Sequence, residues 1–326
     1  LRRVLGFAMP FFAVAVLLGG CGTSEKKGAD AAPAGSAGPV TVTDSRGKAV
    51  KLDRPASKVV ALEWAEAEML VTLGVQPSGV ADVKGFATWD TAVKLAPSVK
   101  DVGTRTEPSV DSIAALQPDL VVMEAERDAP LVGQLEKFVP VIVTKGSDAS
   151  RNIDRMREDF TMIATAVGRT DEAKKALAGF DAAIADAKKK IAAAGKAGSA
   201  FAIADGYKEG STISIRMFGQ GSFVSQLAIQ VGLRNAWTGK VDEAWGLGAS
   251  DVEGLGVLKG TDLVFLYNAS DGNDVFASGL AGNQIWESLG FVQKKQVRKL
   301  PDGIWTFGGP DSARQYIEQL VKVYAP

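Results

Sequence analysis

Short apolar runs alternate with helical patterns along most of the chain. KVVAL (58–62) is followed by EAEMLVTLG and then SGVAD; SVDSIAAL (109–116) leads into PDLVVM, LVGQLEKF and VPVIVT (139–144). Strands alternating with helices predict a parallel α/β sheet. Ile153, Met156, Phe160, Ile163 and Val167 then recur at three- and four-residue steps, which places them on one face of a helix. Gly168 ends that helix, and Thr170 is suited to cap another with Asp171 and Glu172 in its first turn. Leu177, Phe180, Ile184 and Ile191 continue the apolar stripe, and the alternation resumes with AFAIAD (200–205), DLVFLYN (262–268) and QVRKL (296–300).

The two α/β stretches echo each other. SVDSIAAL matches DVEGLGVL (251–258) in its acidic and apolar positions, and PDLVV follows the first as TDLVFL follows the second. The expected architecture is α/β: two α/β lobes with mainly parallel sheets, at 40–148 and 171–326, joined by a single long helix over 149–170. Asp111 and Glu253 occupy the same slot in the two echoing segments. There a carboxylate in the first turn of a helix favours the positive end of the helix dipole.

The N-terminal end has a different pattern. Arg2 and Arg3 precede the apolar VLGFAMPFFAVAVLL, which ends at LGGC with Cys21, the only cysteine. The arrangement resembles a bacterial lipoprotein signal, with residues 1–20 removed and Cys21 carrying a diacylglyceryl group. Residues 21–39 are small, polar and rich in Gly, Pro and Ser, a flexible tether. The expectation is a domain anchored by lipid to the cell membrane and facing the extracytoplasmic side.

Charge and composition narrow the chemistry. The 326 residues carry 37 basic and 38 acidic side chains, and no basic run is interleaved with aromatics, so nucleic acid has no support as a partner. Histidine is absent, which removes Ser-His-Asp and Cys-His catalysis and imidazole metal sites. No GxxxxGK[ST] occurs, and FGQGSF lacks the third glycine of a dinucleotide site. A binding protein is the better reading than an extracellular hydrolase or a surface scaffold, with no cofactor and no protein-held metal.

Candidate contacts are aromatic and cationic. Trp64, Trp89, Trp245 and Trp305 lie in or beside loop-like stretches (LEW, FATWD, EAWGLG, DGIWTFGG), and ligands of open α/β sheets sit where such loops converge. Arg105, in DVGTRTEPS, and Arg216, before a glycine turn, each offer a planar fork of donors to anionic or polar oxygens.

VVALEWAEAEMLVTLGVQPSGVAD, DVGTRTEPSVDSIAALQPDLVV, NAWTGK, AWGLGASDVEGL and GIWTFGG together resemble the periplasmic ferric-siderophore binding proteins of ABC uptake systems, most of all the ferric-hydroxamate type. The resemblance implies a shallow cleft between two lobes and delivery of an Fe(III)-siderophore, such as a ferrioxamine, to a permease dimer. It implies that Arg105 meets the iron-coordinating oxygens and that Trp89, Trp245, Trp305 and Trp237 are cleft aromatics. It also implies that Asp111 and Glu253 dock onto permease arginines. Arg127 stands where the hydroxamate binder has a cleft tyrosine. Other ferric chelates (citrate, catecholate) and corrinoids remain alternatives on this fold; haem fits less well, because its iron wants His or Tyr ligation.

Overall fold

The computed structural model describes residues 38–125, 129–210 and 212–326. It opens on an antiparallel pair, β1 (Val40–Thr43) and β2 (Ala49–Leu52). The turn between them is held by the Asp44 carboxylate, which accepts from the backbone N–H of Arg46 and of Lys48.

The first sheet follows the expected alternation: β3 (Val59–Ala61), α1 (Trp64–Thr72), β4 (Gly79–Val80), α2 (Val83–Trp89), β5 (Lys100–Asp101), α3 (Val110–Ala115), β6 (Leu120–Glu124), α4 (Ala129–Leu135) and β7 (Val141–Thr144). Its order is β5-β4-β3-β6-β7, all parallel. β3, β6 and β7 are buried along their whole length, so their apolar runs are continuous rather than alternating. The chain leaves β3 towards β4 on one side and returns to β6 on the other. The crevice outside the carboxyl ends of β3 and β6 is therefore a topological switch point.

Two helices carry the chain onward, α5 (Asn152–Ala166) and the 24-residue α6 (Thr170–Ala193). The stretch 149–170, expected as one connecting helix, contains α5 and only the first residue of α6. Gly168, at φ 67°, breaks the path between them. Arg169, not Thr170, is the N-cap of α6, and it makes no side-chain cap bond. Ile153, Met156, Phe160 and Ile163 of α5 and Phe180 and Ile191 of α6 are buried, as their spacing predicts.

The second sheet comprises β8 (Ala200–Glu209), β9 (Thr212–Phe218), β10 (Arg234–Asn235), β11 (Leu247–Ser250), β12 (Leu263–Asn268) and β13 (Val297–Lys299). Its order is β11-β9-β8-β12-β13, with β10 beside the start of β8. β10, β12 and β13 run parallel to their neighbours, whereas β9 and β11 are antiparallel, so this sheet is mixed. α7 (Phe223–Gln230), α8 (Gln284–Ser288), α9 (Gly290–Gln293) and α10 (Pro310–Tyr324) complete it. DVEGLGVL forms a five-residue 3-10 turn, Gly254–Leu258, with Glu253 at its N-cap position rather than an α-helical first turn. One continuous core runs through both halves, from Val59 and Trp64 through Phe160 and Phe180 to Phe218, Trp305 and Tyr316.

Candidate functional site

A cleft of about 580 Å³ lies at the ends of β3 and β6, facing the β8–β9 hairpin and the segment 305–307. That volume is in the range of small-molecule sites. Arg105, Arg216, Trp64, Trp89, Trp245 and Trp305 all line it.

The loop that aims Arg105 is built by its neighbours. Gly103 N–H donates to Asp101, and Glu107 N–H donates to the Thr104 hydroxyl. Gly103 bridges to Pro108 at φ 104°, and a Cβ there would come within 2.9 Å of the Glu107 carbonyl and the Ser109 nitrogen. Only glycine closes this loop. Arg105 then donates from Nε (2.8 Å) and pairs through Nη2 (2.7 Å) with the buried Glu63 carboxylate. Its guanidinium lies 4.2 Å from the centre of the Trp64 ring and 5.3 Å from that of Trp305, a cation–π geometry.

Arg216 is positioned by strand register. It sits on β9 directly opposite Asp205 of β8, and its Nε and Nη2 both bond that carboxylate. Its guanidinium lies 5.2 Å from the Phe307 ring and 5.8 Å from Phe218.

Trp305 is the hub of the aromatic wall, edge-on to Trp64 (4.8 Å), Trp89 (6.4 Å) and Phe307 (5.2 Å). Phe307 carries the wall on to Trp245 (5.5 Å). Trp64 is nearly fully buried as the first residue of α1, and its indole N–H donates to the Ala81 carbonyl at 3.1 Å. Trp89 is the last residue of α2, so two of the four expected loop tryptophans belong to helix ends.

Trp237 does not line the cleft. It is buried in the core of the second sheet with Ala236 and Phe265, where Gly239 lies close against its ring. Arg127 and Cys21 lie outside the described residues. Asp111 and Glu253 are both exposed and do not line the cleft.

The acids of the cleft escaped sequence reasoning: Glu63, Glu66, Glu124 and Asp205 all line it, as does Phe307. Glu63 and Phe307 stand inside motifs already singled out, LEW and WTFGG, but pairing across 42 residues leaves no local signal. Burial, and then the nearby Glu63, push the Glu66 carboxyl up to about 7, although the Thr144 hydroxyl donates to it at 2.5 Å. Burial also raises Asp205, with Arg216 opposing the shift. Among the described residues no group of three or more His, Cys, Asp or Glu is arranged to hold a metal ion, and no helix is long and apolar enough to cross a membrane.

The arrangement can grip a compact polar ligand by two guanidiniums while apolar parts lie on indole and phenyl faces. The chain is similar to known proteins. The iron(3+)-hydroxamate-binding protein FhuD of Escherichia coli (strain K12) is 26% identical over 264 residues, spanning 81% of this chain and 86% of that one. The Fe(3+)-citrate-binding protein YfmC of Bacillus subtilis (strain 168) is 27% identical over 282 residues, spanning 86% and 84%. The solved structure of the siderophore binding protein FhuD from Vibrio cholerae, bound to Fe3+-Desferal, matches in fold with a TM-score of 0.71 at 24% identity, over 83% of this chain and 99% of that one. The family described as periplasmic binding protein matches residues 59–303, and the chain belongs to that family.

Proposed function

We propose that the protein captures a ferric siderophore of the hydroxamate class and delivers it to an ABC permease dimer, acting as a binding protein and not as an enzyme. The observation that carries this reading is the charge of the cleft. The two arginines that line it among the described residues are each tied to a carboxylate, Arg105 to Glu63 and Arg216 to Asp205. Such a cleft suits a neutral or cationic ligand. Three hydroxamate monoanions cancel the charge of Fe(III), whereas a ferric triscatecholate is strongly anionic and would meet these carboxylates unfavourably.

The relatives' names include hydroxamate, citrate and petrobactin binders, so overall identity does not choose among them. The matched arginines favour the hydroxamate. The chelate shields its own iron, so the protein needs no metal ligand. The Arg105 fork has five N–H groups and spends only part of them on Glu63, which leaves donors for the chelate oxygens. The methylene linkers of the ligand fit the Trp89–Trp305–Phe307 wall.

Quenching of tryptophan emission by a panel of ferrioxamine B, a ferric triscatecholate, ferric citrate, cobalamin and haem tests the reading. Sub-micromolar, saturable quenching by the hydroxamate alone is expected. Tight binding of cobalamin alone, or of ferric citrate in preference to ferrioxamine B, overturns it.

The sequence further supports a diacylglyceryl anchor at Cys21 on the extracytoplasmic face, checked by whether Cys21→Ser releases the protein from membranes. The exposed acids Asp111 and Glu253 are offered to the permease, where charge sets the rate and orientation of docking. The double variant Asp111→Ala/Glu253→Ala should bind siderophore normally and lose most uptake in cells. Parental uptake at equal expression would leave these acids no docking role.

A further inference from the structure

A second group of buried acids lies outside the cleft lining. Glu68 of α1 is fully buried, and its carboxylate accepts from the start of α10: the backbone N–H groups of Gly309 (2.8 Å), Asp311 (3.0 Å) and Ser312 (2.9 Å), and the Ser312 hydroxyl (2.7 Å). An anion so placed meets the positive end of the helix. The glycine pair of WTFGG admits it, because a Cβ on Gly308 would lie 2.3 Å from Glu68 Oε2 and one on Gly309 3.1 Å from Oε1.

Asp90, the C-cap of α2, is buried within hydrogen-bonding reach of Glu68. Its Oδ1 accepts from the Ala92 N–H at 3.0 Å, while Oδ2 is buried and meets no donor among the described residues. Two carboxylates in such contact attract only when one proton lies between them. Glu68 already receives four donors and is the better anion, so the proton belongs on Asp90.

We propose that Asp90 is a positioning residue for the cleft: it donates a shared proton to Glu68, and this carboxylic acid–carboxylate pair holds Trp89 and Trp305 in register. The connections are short. Trp89 immediately precedes Asp90. The next residue, Thr91, donates from its N–H (2.9 Å) and its hydroxyl (3.0 Å) to the carbonyl of Gly303, two residues before Trp305. The same hydroxyl accepts from Gln315 of α10 at 3.1 Å. Gly303 sits at φ 81°, and a Cβ there would fall 2.2 Å from Thr91, so the two segments are in close contact.

The charges bearing on Asp90 are Glu68 from α1 and Asp311 from α10. Asp311 accepts from the Thr72 hydroxyl and pairs with Arg314. Burial, and then Glu68, push the Asp90 carboxyl up to about 9. The pair is therefore whole at neutral pH and comes apart as pH rises through about 9.

Asp90→Asn is the decisive variant. Its amide keeps an oxygen for Ala92 and an N–H for Glu68, and it does not titrate. Tryptophan emission of the unliganded protein and its affinity for ferrioxamine B are followed between about pH 7 and about pH 10. The parent is expected to lose about tenfold in affinity with a red shift of emission near pH 9, while Asp90→Asn stays within about twofold throughout. Asp90→Ala should be weak at every pH. Identical pH profiles for the parent and Asp90→Asn, in emission and affinity, would overturn the proposal. Only the affinity arm rests on the hydroxamate reading: if ferrioxamine B fails to bind the parent at neutral pH, that reading falls and emission alone decides the role of Asp90.

Discussion

Arg105 and Arg216 face the same cleft, yet they are held in different ways. Arg105 leaves a loop and is gripped by tertiary contacts: Glu63 before α1, the Trp64 ring and the Trp305 ring. Its side chain is 22% exposed. Arg216 is part of a hairpin, matched by the residue directly across from it, and is 42% exposed. The first guanidinium is fixed before any ligand arrives, so little side-chain freedom remains to be lost on binding; the second retains more of it. The cleft thus has a rigid side on the first sheet and a softer one on the second.

The largest expected effect follows from the rigid side. Arg105→Ala should weaken ferric-hydroxamate binding by about 1.5–3 kcal/mol, the scale of a hydrogen bond to a charged group. It should also lower the melting temperature, because it takes the guanidinium away from a buried carboxylate. Arg105→Ala combined with Glu63→Gln should recover the melting temperature and not the binding. If the pair of changes restores both, Arg105 serves only to neutralise Glu63. Arg105→Lys should behave more like the alanine variant than the parent, since an ammonium cannot reproduce a fork that lies over two indole rings.

The contrast between the two arginines also marks what could be read in the sequence. The buried strands of the first sheet were legible, because β3, β4, β6 and β7 are buried apolar runs, whereas the exposed edge strand β5 carries no such run. The β8–β9 hairpin was not legible. AFAIAD was read as a strand, but TISIRMF returns beside it with no helix between, and β9 is only partly buried. The register that puts Arg216 opposite Asp205 was therefore invisible. Of the tryptophans in loop-like segments, Trp89, Trp245 and Trp305 line the cleft and Trp237 does not. NAWTGK looks like the others, but the close approach of Gly239 and the packing on the second core draw that ring inward. The partner acids were illegible for a simpler reason: an ion pair across the sheet has no periodicity.

A smaller effect is expected on the soft side. Arg216→Ala should cost less than Arg105→Ala in binding and within about 1 kcal/mol in stability, as befits a partly exposed pair. Asp205→Asn sharpens the comparison further. It releases Arg216 from its carboxylate and adds one unit of positive charge to the cleft. Affinity for ferric citrate should rise severalfold relative to ferrioxamine B, measured by the same quenching titration. An unchanged ratio would mean that the pairing of Arg216 does not govern the choice between chelates.

The smallest effect concerns Glu66, on the rigid side, and is read in pH dependence. Its carboxyl is raised to about 7 in the fold, by burial first and Glu63 second, from an ordinary value of 4.5. A group raised in this way favours the folded state while it is protonated in both states. That contribution declines as pH climbs above 4.5, where the unfolded chain ionises, and is exhausted once pH passes about 7. Glu66→Gln keeps an oxygen for the Thr144 hydroxyl and removes the proton. The parent's melting temperature should fall between about pH 5 and about pH 7, and this part of the slope should be missing in Glu66→Gln. Above pH 7 the two proteins should run parallel, because Glu66 no longer contributes a slope there. Equal slopes below pH 7 would mean that Glu66 is already ionised in the fold, and that the rigid side of the cleft carries one more fixed negative charge beside Glu63.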